Sequence, residues 1–301
     1  MMSVIMMQLF NGISLGSILL LIALGLAITF GQMKIINMAH GEFIMIGAYT
    51  TYVIQQIFVS HLPQSAFGYF FILSIPISFL VAALIGLALE KTVIRFLYDR
   101  PLDSLLATWG ISLIFQQAAR SIFGAPNVAV IAPEWLNGGL TFAGATLPYK
   151  RIFIIALVLL SFIFLFVFLY KTSSGRRMTA VTINRNMAAC LGVSTRRVDS
   201  MAFALGSGFA GIAGCSLTLL GSIGPTLGTS YIVDAFMIVV LGGVGKLKGT
   251  ILAALIIGIL STFIEFSTSA TIAKVIVFAF IILFLQWKPT GLVGVKARAL
   301  D

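Results

Sequence analysis

The chain has 301 residues, of which 59% are hydrophobic and 9% are charged, and its mean hydropathy is +1.10. Because a soluble domain carries about 25% charged residues, this composition excludes an ordinary soluble protein and indicates an integral membrane protein. A net charge of +10 would suggest nucleic acid binding in a soluble protein, but in a membrane protein basic residues collect in cytoplasmic loops.

Apolar stretches that can cross a bilayer recur along the whole chain. Barrel strands would alternate polar and apolar residues, so we expect helices. The candidate spans are residues 4–30, 43–59, 68–89, 104–119, 152–170, 201–220, 231–245, 249–266 and 273–287. The seventh and ninth are short for a span. The sequence predicts an all-α polytopic membrane protein with about nine transmembrane helices (8–10), forming a single transmembrane domain over residues 1–301.

The distribution of basic residues predicts the orientation of these spans. If residues 171–200 are cytoplasmic, alternation places fifteen of the 19 basic residues inside. Besides the six in residues 171–200, the basic residues placed on the inner side are Lys34, Lys91, Arg95, Arg100, Lys246, Lys248, Lys288, Lys296 and Arg298. The remaining four are placed on the outer side of the membrane: Arg120, Lys150, Arg151 and Lys274. We therefore expect the N-terminus outside and the C-terminus inside.

Two longer polar intervals separate the spans. Residues 171–200 carry six basic residues against one acid, Asp199, and we expect this cytoplasmic loop to meet a partner. Residues 123–151 form the longest outer loop, whose Pro, Gly and Asn residues predict turns or a short hairpin. That loop either receives a binding protein or simply connects two spans.

The segment from Asn37 to Glu42 is the sharpest polar feature near a span. His40 and Glu42 are costly in a membrane, so they are expected to face protein or a water-filled cavity. Asn37 is suited to cap a helix and Gly41 to break one. The segment is therefore either a gate or pathway lining, or a capped helix start whose polar side chains are hydrogen-bonded at the interface.

A few further polar residues lie within apolar surroundings. Candidates for the pathway are Asn11, Thr108, Gln116, Gln117 and Asp234, although helix-helix hydrogen bonds use the same residue types. Asp234 or Glu265 either faces the pathway or pairs with Lys274 or a backbone group near an interface. For Glu265, the pairing is the favoured interpretation.

The sequence shows no catalytic or metal-binding constellation. Its two histidines are too few for a metal-ligand cluster, and a nucleophile with a base is not evident. The glycine-rich run at residues 241–249 lacks the Walker pattern, because Val240 and Leu247 occupy the positions that need Gly and Ser or Thr. We expect neither an ATPase nor another catalytic site in this chain.

Residues 184–193 predict a short helix that Gly192 ends. Its apolar face would hold Met187, Ala188 and Leu191, with Cys190 beside them. Such a helix suits a groove on a partner, and the alternative is a surface helix at the membrane interface. Small residues at the spacing of Gly12 to Gly16 and Gly206 to Ala210 predict close helix contacts rather than sites.

Three stretches resemble the permease subunits of ABC importers for branched-chain amino acids and related small polar solutes. They are IINMAHGEFIMIGAY at 35–49, NRNMAACLGVSTRRV at 184–198 and LGGVGKLKGTILAA at 241–254. The segments MAHGEFIMIGAYTTYVIQ and TINRNMAACLGV, with the C-terminal segment KARALD, are most similar to the urea permease branch. The resemblance spans most of the chain.

The resemblance implies an ATP-driven importer that moves urea or a related short amide across the bacterial inner membrane by alternating access. Its partners would be a second homologous permease, two cytoplasmic ATPases that bind ATP and Mg²⁺, and a periplasmic solute-binding protein, while this chain binds no cofactor. The alternatives are a branched-chain amino acid permease and an ion-coupled transporter or channel.

Within this family, residues around Asn184 to Gly192 would form the coupling helix that sits on an ATPase. The expected contact residues are Asn184, Arg185, Met187, Ala188, Ala189, Leu191 and Gly192. An acidic residue, often found at the head of such loops in other importers, is not evident at Ile183, Asn184 or Arg185.

Overall fold

A computed structural model describes residues 2–33, 35–61, 63–98, 100–142 and 145–293. The helices are α1 (Met2–Met33), α2 (His40–His61), α3 (Phe70–Thr92), α4 (Pro101–Phe123), α5 (Tyr149–Lys171), α6 (Ser173–Ile183), α7 (Arg185–Cys190), α8 (Thr195–Leu217), α9 (Leu227–Gly242), α10 (Leu247–Ser267) and α11 (Ala270–Trp287). One hairpin joins β1 (Gly139–Phe142) to β2 (Ala145–Pro148).

The all-α polytopic prediction is confirmed. Each of the nine predicted spans overlaps one long helix, although the spans 68–89, 201–220 and 231–245 each run two or three residues beyond it. Seven helices of the described part are long and apolar enough to cross a membrane. The two that miss this criterion are α4, which carries a polar stripe, and α9, which has 16 residues. The count of nine spans and their orientation stay predictions.

The helix ends gather at two opposite ends of the bundle. One cavity is lined by the last turns of α1 and α5, by the α9–α10 turn and by the segment after α11. Each of these contributes at least one lining residue, for example Gln32, Tyr170, Lys246 and Val293 in that order. We call this the basic end, since it holds most of the predicted inner cations. Lys34, Lys296 and Arg298, on which the orientation also depends, lie outside the described residues.

The opposite end carries the 123–151 loop, where the predicted hairpin is confirmed. β1 and β2 pair antiparallel, with Thr141 opposite Thr146. The loop is tied to the bundle, because Trp135 Nε1 donates to the Gly68 carbonyl at 2.8 Å. A backbone bridge also joins Val128 to Ile223, in the connection between α8 and α9.

Helix α8 lies at the centre and is buried along most of its length. Its small residues bring other backbones close, as predicted: a Cβ on Gly206 would lie 2.6 Å from the Gly25 carbonyl oxygen of α1. The first predicted pair behaves alike, because Gly12 and Gly16 of α1 pack against the backbone of α10. In lipid, such close packing replaces the hydrophobic effect as the force between helices.

The polarity of residues 171–200 predicted a loop. In the structure this interval is mostly helical. α6, α7 and the first turns of α8 fill it. The Thr172 hydroxyl caps α6 by accepting from the Gly175 N–H, and Asn184 caps α7 by accepting from the Met187 N–H. These caps satisfy N–H groups that the first helical turn leaves unpaired, which explains why a charged segment folds here.

Candidate functional site

Helices α2 and α9 both begin inside the bundle rather than at its ends. The Ile22 carbonyl of α1, three turns before the end of that helix, accepts from Nε2 of buried His40 at 3.2 Å. Gly41 and Gly228, in the first turns of the two helices, are in backbone contact, and a Cβ on Gly41 would lie 2.5 Å from the Gly228 carbonyl oxygen. Two helix N-termini, each with a partial positive charge, therefore meet at the level of the middle of α4.

A carboxylate and three neutral polar groups converge at this point. Oε1 of Glu42 accepts from the Ser112 hydroxyl at 2.7 Å and from Gln116 Nε2 at 2.9 Å. Gln116 Nε2 also lies 3.1 Å from the Thr229 hydroxyl oxygen. The network joins α2, α4 and α9. The second carboxylate oxygen, Oε2, is buried without a hydrogen-bond partner.

We call the space beside this network the Glu42 chamber. It has a volume of about 370 Å³ and is lined by Met38, Glu42, Trp109, Ser112, Leu113, Gln116, Thr226, Thr229, Ser230 and Ile232. The lining is mostly apolar, and its polar residues are Glu42, Ser112, Gln116, Thr226, Thr229 and Ser230. Among the described lining residues none is Lys or Arg. The arrangement suits a small solute with N–H donors at one end and an acceptor group near the helix N-termini.

Part of this chamber was predictable from the sequence. Glu42 and Gln116 were predicted as pathway or gate residues, whereas Ser112 was not. A signal for Ser112 was present, because polar residues recur at every fourth position of α4: Ser104, Thr108, Ser112 and Gln116. That spacing places them on one helix face. The involvement of Thr229 has no comparable signal in the sequence.

The segment leading into α2 is held against α4. The Met38 N–H donates to the Thr108 hydroxyl oxygen at 3.1 Å, and the Asn37 side chain accepts from the Ala39 N–H at 3.1 Å. Asn37 thus closes the turn before the helix, which begins at His40, instead of capping a helical N–H group. Gly41 does not break the helix, which begins at His40; its missing side chain instead allows the contact with α9.

Three predicted pathway residues lie elsewhere. The Asn11 carbonyl accepts from Arg151 near the hairpin end, and Gln117 is exposed beside Arg120. Asp234 pairs with Lys274, whose Nζ lies 3.4 Å from Oδ2. Of the two roles left open for Asp234, the structure therefore shows the pairing with Lys274, and the pairing of Glu265 stays a prediction.

Helix α7, Arg185–Cys190, lies within the predicted interval 184–193, but its apolar residues do not share one face. Ala188 is buried, whereas Met187 is 59% and Leu191 77% exposed. The Ile183 side chain, at the end of α6, is 80% exposed. We call Ile183, Met187 and Leu191 the docking face. Gly192 ends the helix with φ 81°, a conformation that favours glycine.

Arg185, another predicted contact residue, turns toward the bundle. Its Nη1 donates to Asp199 Oδ1 at 3.0 Å and its Nη2 to Oδ2. Asn184 is occupied by its capping bond, and Ala189 is exposed. The role of these residues in binding an ATPase stays a prediction.

The fold and the Glu42 chamber together define a multi-pass membrane transport protein. Residues 8–285 match the family described as "Branched-chain amino acid transport system / permease component". The chain belongs to this family, and it is a multi-pass permease of the inner membrane.

Curated relatives agree with this family. The chain is 30% identical to the high-affinity branched-chain amino acid permease LivH of Salmonella typhimurium, over 95% of this chain and 94% of the relative. It is 28% identical to BraD of Pseudomonas aeruginosa over 95% of both chains. LivM of Escherichia coli is 27% identical over 93% of this chain and 68% of LivM. No solved structure matches the chain.

Proposed function

We propose that this chain is the membrane-spanning subunit of an ATP-driven importer that moves branched-chain amino acids through the Glu42 chamber. The observation that carries the proposal is the buried, unpartnered Oε2 of Glu42, a residue that lines a mostly apolar cavity beside two helix N-termini. The names of the curated relatives support this class of solute better than they support urea.

The chamber offers a place for each part of a branched-chain amino acid. The α-ammonium group would donate to Glu42 Oε2, and the α-carboxylate would accept from N–H groups in the first turn of α9. The branched side chain would lie against Met38, Trp109 and Leu113. The family's division into homologous permeases supports a second permease partner, because LivM also matches this chain.

The remaining partners would be two ATPase subunits at the basic end, which bind ATP and Mg²⁺, and a solute-binding protein at the hairpin end. Binding and hydrolysis of ATP would move the docking face and open the chamber to alternate sides. This assignment makes residues 171–200 the cytoplasmic segment and residues 123–151 the outer one.

Urea is the second candidate. Apart from Glu42, the polar groups of the chamber are neutral: Ser112, Gln116, Thr226, Thr229 and Ser230. Urea has two amide groups that donate and a carbonyl that accepts, so it needs no cationic partner here. The resemblance of residues 38–55, 182–193 and 296–301 to the urea permease branch supports the same solute.

Uptake measurements decide between the two solutes. Cells that lack the gene, and the same cells with the gene restored, are given radiolabelled leucine or radiolabelled urea, each with the other compound as competitor. Restored leucine uptake that stops when ATP is depleted supports the main proposal. Restored urea uptake that leucine does not inhibit supports the second candidate. Uptake that survives ATP depletion but needs an ion gradient would overturn the ATP-driven importer.

The docking face makes a second prediction. In the assembled importer, Leu191→Asp is expected to lower ATPase retention about tenfold or more, because burying a leucine contributes about 1.5–3 kcal/mol. The matched control is Asn186→Asp, which adds the same charge to an exposed polar position of α7. Retention is measured by co-purification of the ATPase with the tagged permease. Equal retention in both variants would contradict the docking face.

Ala188 is unsuitable for that experiment. Its side chain is buried, so a bulky charged replacement would disturb the folding of α7 as well as any contact with a partner. Leu191 is exposed, and its replacement leaves the packing of α7 on the bundle intact.

A further inference from the structure

The pair between Arg185 and Asp199 joins α7 to the first turns of the central helix. Both nitrogens at the end of the guanidinium group face both carboxylate oxygens, an arrangement with a defined geometry as well as charge. Asp199 is fully buried, whereas the Arg185 side chain is 40% exposed. A buried carboxylate of this kind requires its partner, because an unpaired charge away from water is costly.

A second buried carboxylate extends the connection to α3. The Arg185 guanidinium lies 5.6 Å from the centre of the Tyr98 ring, and the Tyr98 hydroxyl donates to Glu90 Oε1 at 2.9 Å. Burial, followed by the nearby Asp199 and Glu90 carboxylates, raises the pKa of Tyr98, so the hydroxyl keeps its proton. Ser200 of α8 donates to the other oxygen of Glu90. Helix α7 is thereby connected to the inner ends of α3 and α8.

Helix α8 in turn has direct backbone contact with the helix that carries Glu42. A Cβ on Gly211 or Gly214 would collide with α3 or α2, respectively, and the Ile44 carbonyl oxygen would lie 1.9 Å from a Cβ on Gly214. A packed interface without space between backbones transmits displacement of one helix to its neighbour. The path from α7 to the Glu42 chamber is therefore continuous.

We propose that the ion pair between Arg185 and Asp199 is the link through which movement of α7 reaches α8 and, through α8, the Glu42 chamber. This inference rests on the proposed function as an ATP-driven importer. Arg185 acts as a positioning residue: it transmits movement to other groups and touches neither the solute nor, through its paired nitrogens, the ATPase.

The test replaces the pair by apolar residues of similar length, Arg185→Met with Asp199→Leu. Such replacements leave no buried charge unpaired and often preserve stability. Arg176→Met, at an exposed position of α6, is the matched control. The complete importer is reconstituted in proteoliposomes, and solute transported per ATP hydrolysed is measured.

The double variant is expected to hydrolyse ATP while its transport per ATP falls at least tenfold, and Arg176→Met keeps the wild-type ratio. Arg185→Lys, which retains the charge but not the two-pronged geometry, is expected to give an intermediate ratio. A double variant that transports within twofold of the wild-type ratio would overturn the proposal and leave the pair a structural one.

A measurement without transport separates this proposal from the proposed function. Amide hydrogen exchange of α7 is compared in the permease alone, in lipid nanodiscs, for the double variant and Arg176→Met. The link predicts at least tenfold faster exchange of Arg185–Cys190 in the double variant, and unchanged exchange would overturn it. If the wild-type importer transports no solute in response to ATP, the proposed function is overturned. The amide exchange of α7 would still decide whether the ion pair between Arg185 and Asp199 connects α7 to α8.

Discussion

Glu42→Gln is expected to reduce solute uptake about tenfold to hundredfold while the amount of permease in the membrane stays unchanged. Glutamine retains an oxygen that accepts from Ser112 and Gln116, so the network that joins α2 to α4 persists. The substitution replaces one carboxylate oxygen with an amide NH2 group and removes the negative charge. The donor groups of the solute therefore lose a charged acceptor. A hydrogen bond to a charged group contributes about 1.5–3 kcal/mol, which corresponds to the expected range.

The control for this variant is Glu265→Gln, which removes the same charge from an exposed position of membrane helix α10. Uptake is measured at several solute concentrations, with the permease quantified in the same membranes. Equal uptake by Glu42→Gln and Glu265→Gln would show that the chamber carries no solute. A loss of permease instead of uptake would assign Glu42 to folding.

Gly214→Ala is expected to remove most of the folded permease. The added Cβ would lie 1.9 Å from the Ile44 carbonyl oxygen and 2.9 Å from the Ala48 nitrogen, and both are backbone atoms that no rotamer change can move away. Overpacking of this kind costs about 1–3 kcal/mol or more, a large part of the stability of a folded protein. The separation of α2 from α8 would also shift Glu42 relative to α4.

The matched control is Gly110→Ala. Gly110 also lies inside a long helix, but a Cβ there meets nothing within 4 Å. Because alanine is about 1 kcal/mol better than glycine in a helix interior, this control is expected to be neutral or slightly stabilising. The midpoint of thermal unfolding in detergent and the amount of monodisperse protein are measured for both variants. A Gly214→Ala protein as stable as the control would contradict the close packing of α2 on α8.

The two variants address different parts of one arrangement. Gly214 determines where α2 lies, and Glu42 supplies the group that α2 brings to the chamber. In a membrane, a carboxylate at the start of a helix is favoured by the partial positive charge of the N-terminus, which offsets part of the cost of burying it. The position of α2 and the charge state of its first turn therefore depend on each other.

The sequence alone determined the features that depend on local composition. Runs of apolar residues must form helices in lipid, because backbone groups there find partners only within the helix, so all nine predicted spans coincide with helices. Gly192 was predicted to end α7, because glycine is favoured after the last turn of a helix, a preference that acts over a few residues. The hairpin at 139–148 follows from turn residues of the same local kind.

The tertiary structure decided which distant residues meet. The pairing of Arg185 with Asp199, of Lys274 with Asp234, and of Gln116 with Thr229 depends on which helix faces are neighbours. Sequence patterns say little about this in a membrane, because a lipid-facing and a helix-facing surface are equally apolar and small residues guide the packing. The depth at which α2 and α9 begin is also decided by tertiary contacts. Hydropathy predicts only that a segment lies in the membrane. The contact of Gly41 with Gly228 places the two helix N-termini together, level with the middle of α4.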